Sequence, residues 1–234
     1  EILVLSHELP RVGTRVARTG EKLKVPTGEG LLGLTVNALG VPVGQKLRSL
    51  EGAQMREIEV IPAGIVQRKK ISRPLETGTI LVDLMIPIGR GQRELIMGDR
   101  KTGKTHLALR TVITQAKLGT VCVYAAVGKK QGEIKRVEEY FAKAGITDKL
   151  ILVVSSSQDG PGEIFLTPYT AMTMAEYFRD QGKDVLVVLD DMSTHAKFYR
   201  ELSLTARRFQ GRESYPGDIL HVHSKLVERA GNFV

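Results

Sequence analysis

From about residue 79 onward, apolar positions alternate between unbroken runs and helical spacing. Val121-Cys122-Val123-Tyr124-Ala125-Ala126-Val127, Leu150–Val154 and Val185–Leu189 are continuous apolar runs. Strands buried on both faces of a parallel sheet read this way. Between them, Lys104 to Lys117 carries Leu107, Leu109, Val112, Ile113 and Ala116 at helical intervals, and Glu133 to Ala144 is amphipathic and stops near Gly145. Pro168 to Gln181 predicts a further helix, with Pro168 near its start and Gly182 past its end. Leu95-Ile96-Met97 predicts a short strand leading into a glycine-rich loop. This β-α-β-α-β order calls for an α/β fold with helices on both faces of a parallel sheet.

The first 44 residues follow another pattern. Ile2–Leu5, Arg15–Arg18 and Leu23–Val25 are short runs broken by Val12-Gly13, Thr19-Gly20 and Pro26-Thr27-Gly28. Small strands and turns, part of a small β-barrel, are expected for 1–44. Residues 45–78 read as a connector, with Pro62, Gly64, Pro74 and the basic run Arg68-Lys69-Lys70, and 79–234 as a separate α/β domain. Glu1 to Ser6 looks like the middle of a strand, as if the chain began inside a domain.

The glycine-rich loop changes the picture from fold to chemistry. Gly98-Asp99-Arg100-Lys101-Thr102-Gly103-Lys104-Thr105 matches G-x-x-x-x-G-K-[ST] at every position. Gly98 and Gly103 allow a tight turn that brings backbone N–H groups onto phosphate oxygens. The following helix adds the partial positive charge of its N-terminus. Lys104 places an ammonium on the β and γ phosphates, and the Thr105 hydroxyl suits Mg²⁺. ATP or ADP with Mg²⁺ is therefore the expected ligand. The apolar run 185–189 ends in Asp190-Asp191. Asp190 is the candidate for a water-mediated contact to the metal; the alternative for these two acids is capping of the next helix, a role that suits Asp191.

Hydrolysis needs a group that orients or deprotonates water. The run 121–127 ends instead in Gly128-Lys129-Lys130. A lysine beside a triphosphate stays protonated and is a poor base. Glu133 is the nearby carboxylate, and the first turn of a helix is its ordinary place. Binding without turnover is expected, with no catalytic residue in the chain. His221 and His223 lie two apart on a presumed strand without a third ligand, so packing is the expectation there and not a metal. Met172 and Met174 read as core filling, and Cys122, the sole cysteine, as a buried inert thiol.

Composition adds bounds. Hydrophobic residues make up 42% and charged residues 26% of the 234 positions, as in an ordinary globular protein, and no apolar run approaches the roughly 18–20 residues of a membrane span. The net charge is +8, which suits a polyanionic ligand or an acidic partner. The basic residues are scattered and aromatics are only 5%, which disfavours a stacking platform for single-stranded nucleic acid.

One family carries these residues together. Pro87-Ile88-Gly89-Arg90-Gly91-Gln92-Arg93-Glu94-Leu95-Ile96-Met97 and the loop after it closely resemble the α subunits of F-type ATP synthases. So do Arg18-Thr19-Gly20, Gly30-Leu31-Leu32-Gly33, Asn37-Ala38-Leu39-Gly40, Glu176-Tyr177-Phe178-Arg179-Asp180, Gly211 to Asp218 and His223 to Ala230. The Tyr215-Pro216-Gly217-Asp218 run favours α over the catalytic β subunit and the flagellar export ATPase. The resemblance implies a RecA-like P-loop NTPase core, preceded by part of a small β-barrel. It implies a non-catalytic Mg-ATP site on a subunit that alternates with β subunits in a hexameric ring around a central stalk. Such a chain meets an energy-transducing membrane only indirectly, on its cytoplasmic, matrix or stromal face, and binds no nucleic acid directly. The alternative on the same fold is a hexameric nucleic-acid motor.

The departures are specific. Lys129 stands where α subunits usually have glutamine and β subunits the glutamate base; Lys101 also replaces a usual glutamine, and Phe209-Gln210 a usual Pro-Pro. The family's arginine-finger segment and helical domain are expected beyond Val234, which suggests a fragment or a divergent paralogue.

Overall fold

The computed structural model describes residues 3–5, 11–44 and 52–233. The sequence calls at Ile2, Ser6 and 45–51 lie outside these residues. Eight strands are described: β1 Lys24–Thr27, β2 Thr35–Val36, β3 Gln54–Glu57, β4 Pro74–Leu75, β5 Ile88–Gly89, β6 Val121–Lys129, β7 Leu150–Ser156 and β8 Val185–Asp190. The helices are α1 Ile80–Met85, α2 Lys104–Lys117, α3 Gln131–Ala144, α4 Pro161–Arg179, α5 Met192–Thr205 and α6 Ile219–Val227.

The three apolar runs form β6, β7 and β8, three of the four strands of a parallel sheet in the order β2-β7-β6-β8. Each face is covered, so the fold is α/β as the alternation requires. Val121, Val123, Ala125 and Val127 of β6 pack with Ile164, Ala171, Met174 and Phe178 of α4. Cys122, Tyr124 and Ala126 point the other way, onto Leu109, Val112 and Ala116 of α2 and Phe141 of α3. Within residues 1–44, β1 pairs antiparallel with β3, while β2 pairs parallel with β7.

Helix α4 begins at Pro161, seven residues before the sequence-derived start, and Pro168 lies inside it. The proline-first rule is met, but by Pro161. An internal proline forfeits one helical hydrogen bond; the burial of residues on either side, such as Ile164, Leu166, Ala171 and Met174, offsets that loss. This helix is buried nearly all round because the sheet covers one side and Val25, Ala38 and Ile58 cover another. Its Glu176 meets Arg229, which is 2% exposed, through bonds of 2.9 and 2.6 Å to the two carboxylate oxygens. The same guanidinium donates to the Ile58 carbonyl and the Thr173 hydroxyl, so the chain's later part is tied through α4 to the residue that follows β3.

Further expectations are corrected: Arg15 to Arg18 lies in no strand and is exposed. Leu95-Ile96-Met97 forms no strand: the three residues are 72%, 42% and 79% exposed. Three apolar residues mark a segment suited to burial, but a strand exists only by pairing, and among the described residues β8 pairs with β6 alone. His221 and His223 lie on helix α6, not on a strand. Period-two spacing over three residues does not separate the two periodicities.

Strand β6 carries one irregularity. Ala126 pairs with Val154 and Lys129 with Ser156, so β6 spends one residue more than β7 over the same span. Such a bulge reverses the side-chain alternation beyond it. Without it, Lys129 would share the α4 face with Val127. Gly128 makes the bulge possible with φ of 59°, and a Cβ there would sit 2.9 Å from Thr194 Cγ2 and 3.1 Å from Phe198 Cε2. Lys129 is thereby turned to the α2 face.

Gly128→Ala should destabilise the fold by about 1–3 kcal/mol through left-handed strain and the close contact, read as a lower unfolding midpoint. Arg229→Ala should cost about 3–5 kcal/mol, because it strands the Glu176 carboxylate, and lower the melting temperature by about 10 °C. His195 of α5 is fully buried, with Nδ1 3.0 Å from His223 Nε2 and Nε2 3.1 Å from the Phe165 carbonyl. Burial, then the neighbouring His223, push its pKa down to about 4. A histidine depressed in the folded state stabilises fully above its unfolded pKa, and that stability is lost as pH falls towards the folded value. Denaturant titrations should therefore show stability falling by up to roughly 3 kcal/mol from pH 6.5 towards pH 4, with a shallower fall in His195→Gln.

Candidate functional site

The site lies at the carboxyl ends of β6 and β8, where ligands of open parallel α/β sheets are bound. Helix α2 begins directly after the glycine-rich loop. Its N-cap is Gly103, in the left-handed region at φ 90°, and no side chain caps its first turn. The first N–H groups of α2 therefore face outwards as an anion site built into the backbone. Gly98 to Gly103 are exposed. Lys101 adopts a positive φ of 66°, which is uncommon for a residue with a side chain and keeps the turn tight. Thr102 Oγ1 donates to the Asp99 carbonyl at 2.8 Å and pins the loop. Lys104 Nζ donates to the carbonyls of Gly98, at 2.6 Å, and of Asp99, so the ammonium lies over the loop it must serve. Arg100 is exposed on the loop.

Asp190 at the end of β8 joins this loop to β6. Its Oδ2 accepts from the Thr105 hydroxyl at 3.1 Å and from the Tyr124 hydroxyl at 2.7 Å. Its Oδ1 accepts from the Lys129 ammonium at 2.8 Å. Lys129 also reaches Asp191 Oδ2 at 3.2 Å. The sequence candidates Thr105, Lys129 and Asp190 are thus brought together. Asp191 takes the capping role: it is the N-cap of α5 and accepts from the Thr194 amide at 2.6 Å. Glu133 is exposed in the first turn of α3.

The electrostatics follow from these contacts. Burial pulls the Lys129 pKa down, but the hydrogen bonds and charges of Asp190 and Asp191 outweigh it and leave the ammonium above its ordinary value. It carries its proton throughout the neutral range and accepts none. Burial works to raise the Asp191 carboxyl, yet the Thr194 amide and Lys129 hold it below the usual range. Burial, reinforced by the Asp190 charge, raises the Tyr124 phenol. Burial alone pushes the Cys122 thiol up to about 12, in keeping with its fully buried place in the core.

The residues fit a phosphate ligand. For Mg²⁺ the fit is divided. Thr105, by donating its proton to Asp190, keeps hydroxyl lone pairs for a cation. Asp190 has both oxygens already engaged, one by an ammonium. Among the described residues there is no group of three or more His, Cys, Asp or Glu side chains that would hold a metal, the histidines included. A cation here would take most of its ligands from phosphate and water.

Sequence reasoning missed two contacts. Tyr124 was read only as part of an apolar strand, although a tyrosine in a buried run needs a partner for its hydroxyl. The His195–His223 pair joins residues far apart in the chain, and no spacing rule reaches it.

Similarity to known proteins agrees with this geometry. Residues 78–234 match the ATP synthase alpha/beta family, nucleotide-binding domain. The chain is 48% identical over 218 residues to the ATP synthase subunit alpha of Tolumonas auensis and 48% identical to that of Shewanella amazonensis. It is 47% identical to that of Sulfurovum sp.. Each match covers 93% of this chain and 42–43% of the relative, so the chain spans about two-fifths of the length of these relatives. The matched nucleotide-binding domain holds the glycine-rich loop, Lys129 and Asp190 alike, and the chain belongs to the ATP synthase alpha/beta family.

Proposed function

We propose that this chain is a non-catalytic, ATP-binding α-type subunit of a rotary, proton-translocating ATP synthase, supporting synthesis and hydrolysis at sites on neighbouring β subunits. The observation that carries it is Lys129. At the position where water would have to be activated, the side chain is an ammonium held by two carboxylates. Residues 98–105 hold the phosphates, with Lys104 supplying charge and Thr105 a hydroxyl for Mg²⁺, which shields phosphate charge when bound. Asp190 orients Thr105 through their hydrogen bond.

Partners follow from the relatives, each named as a subunit of ATP synthase. Alternation with β subunits around a central stalk, at the surface of an energy-transducing membrane, is part of the same proposal. No helix among the described residues is long and apolar enough to cross a membrane, which accords with attachment through the complex.

Calorimetry should show ATP and ADP binding to the chain in the presence of Mg²⁺, and Lys104→Ala should abolish it. Unchanged affinity in that variant would overturn the site. Phosphate release should stay at the buffer background, with Glu133→Gln indistinguishable from the parent. Steady turnover that disappears in Glu133→Gln and ignores Lys129→Gln would overturn the non-catalytic assignment.

A further inference from the structure

We propose that the Lys129 ammonium is a built-in counter-cation for Asp190, so that this chain binds ATP or ADP with little dependence on Mg²⁺. The inference rests on the nucleotide-binding function proposed above and concerns the same site.

A carboxylate at the end of β8 beside a triphosphate is a repulsive pair. A divalent cation between them removes the repulsion. Here the carboxylate already has a cation beside it, shared with Asp191. Lys129 Nζ lies 2.8 Å from Asp190 Oδ1 and 3.2 Å from Asp191 Oδ2, and the Lys129 and Asp190 side chains are only 20% and 13% exposed. At that depth salt and water screen the pair weakly. The other oxygen of Asp190 is filled by the Tyr124 and Thr105 hydroxyls. Mg²⁺ seeking Asp190 must therefore compete with a held ammonium, and freeing that ammonium leaves a part-buried charge poorly paired.

The placement is built and not incidental. Lys129 reaches Asp190 because the β6 bulge turns it to the α2 face, and the bulge depends on Gly128 at φ 59°. Tyr124, two residues before Ala126 on the same face, closes the far side of the carboxylate. An ammonium has three N–H donors, and two of these meet Asp190 and Asp191. The third can serve a phosphate oxygen. With Lys104 on the loop, the site then offers two cationic side chains around a phosphate group and needs less from a metal.

The test is calorimetric titration of the 234-residue chain with ATP, once in excess EDTA and once in excess Mg²⁺. In the parent protein the two dissociation constants should agree within about threefold. In Lys129→Gln they should separate by about tenfold or more, with tighter binding in Mg²⁺, as expected for two cations coupled through one carboxylate. Lys129→Arg, which keeps the charge, should stay close to the parent. A parent ratio of tenfold or more overturns the inference by itself, whether or not the variants fold. A small ratio that survives in folded Lys129→Gln overturns it as well, since Lys129 would not be its cause. Absence of ATP binding in both conditions removes the nucleotide-binding function and the inference together, a result distinct from binding that is intact but requires Mg²⁺.

Discussion

The carboxylate of Asp190 is the point through which the site is organised. It takes Thr105 from the start of α2, Tyr124 from the middle of β6 and Lys129 from the end of β6. Three segments separated in sequence are fixed relative to one another by one side chain at the tip of β8. A charge in that position is costly unless paired and hydrogen-bonded. The surroundings supply both, and in doing so they commit the nearest cation to a structural pairing and not to proton transfer.

The remainder of the fold serves to hold that tip in place. Parallel pairing of β6 with β7 and β8 sets the register in which Ala126 faces Asp190. Helices α2 and α3 cover one face and α4 and α5 the other, so the strand ends are the free side of the sheet. The single extra residue in β6 then decides which face Lys129 occupies. A regular strand with the same composition would turn Lys129 to the α4 face with Val127, away from Asp190. Bulge, glycine and salt bridge are thus one device, and its effect is to put positive charge beside Asp190.

Family membership and the local geometry bear on different questions. The match over 78–234 establishes the domain and its nucleotide-binding character. It does not distinguish a subunit that hydrolyses from one that only binds. That distinction rests on side chains at a few positions, and the proposal made above for this chain rests on residue 129 and its partners.

The sequence by itself determined most of the sheet and the loop. Continuous apolar runs gave β6, β7 and β8 because strands covered on both faces have no polar side to alternate with. Spacing gave α2 with its observed limits, since helix entry is fixed by the glycine loop and exit by Gly119. Lys104 and Thr105 were candidates because they stand together in one loop motif, and Asp190 because it is the acid that ends an apolar run. What lay beyond the sequence depends on pairing between distant segments. Leu95 to Met97 has the composition of a strand, yet a strand requires an edge to bond with. The helical state of 219–227 was misread from two histidines alone, and the His195–His223 contact joins α5 to α6 across the fold. Above all, the Lys129–Asp190 pair needed the tertiary structure: one unpaired residue in β6 reverses a side chain, and a bulge of that kind is defined only against the neighbouring strand.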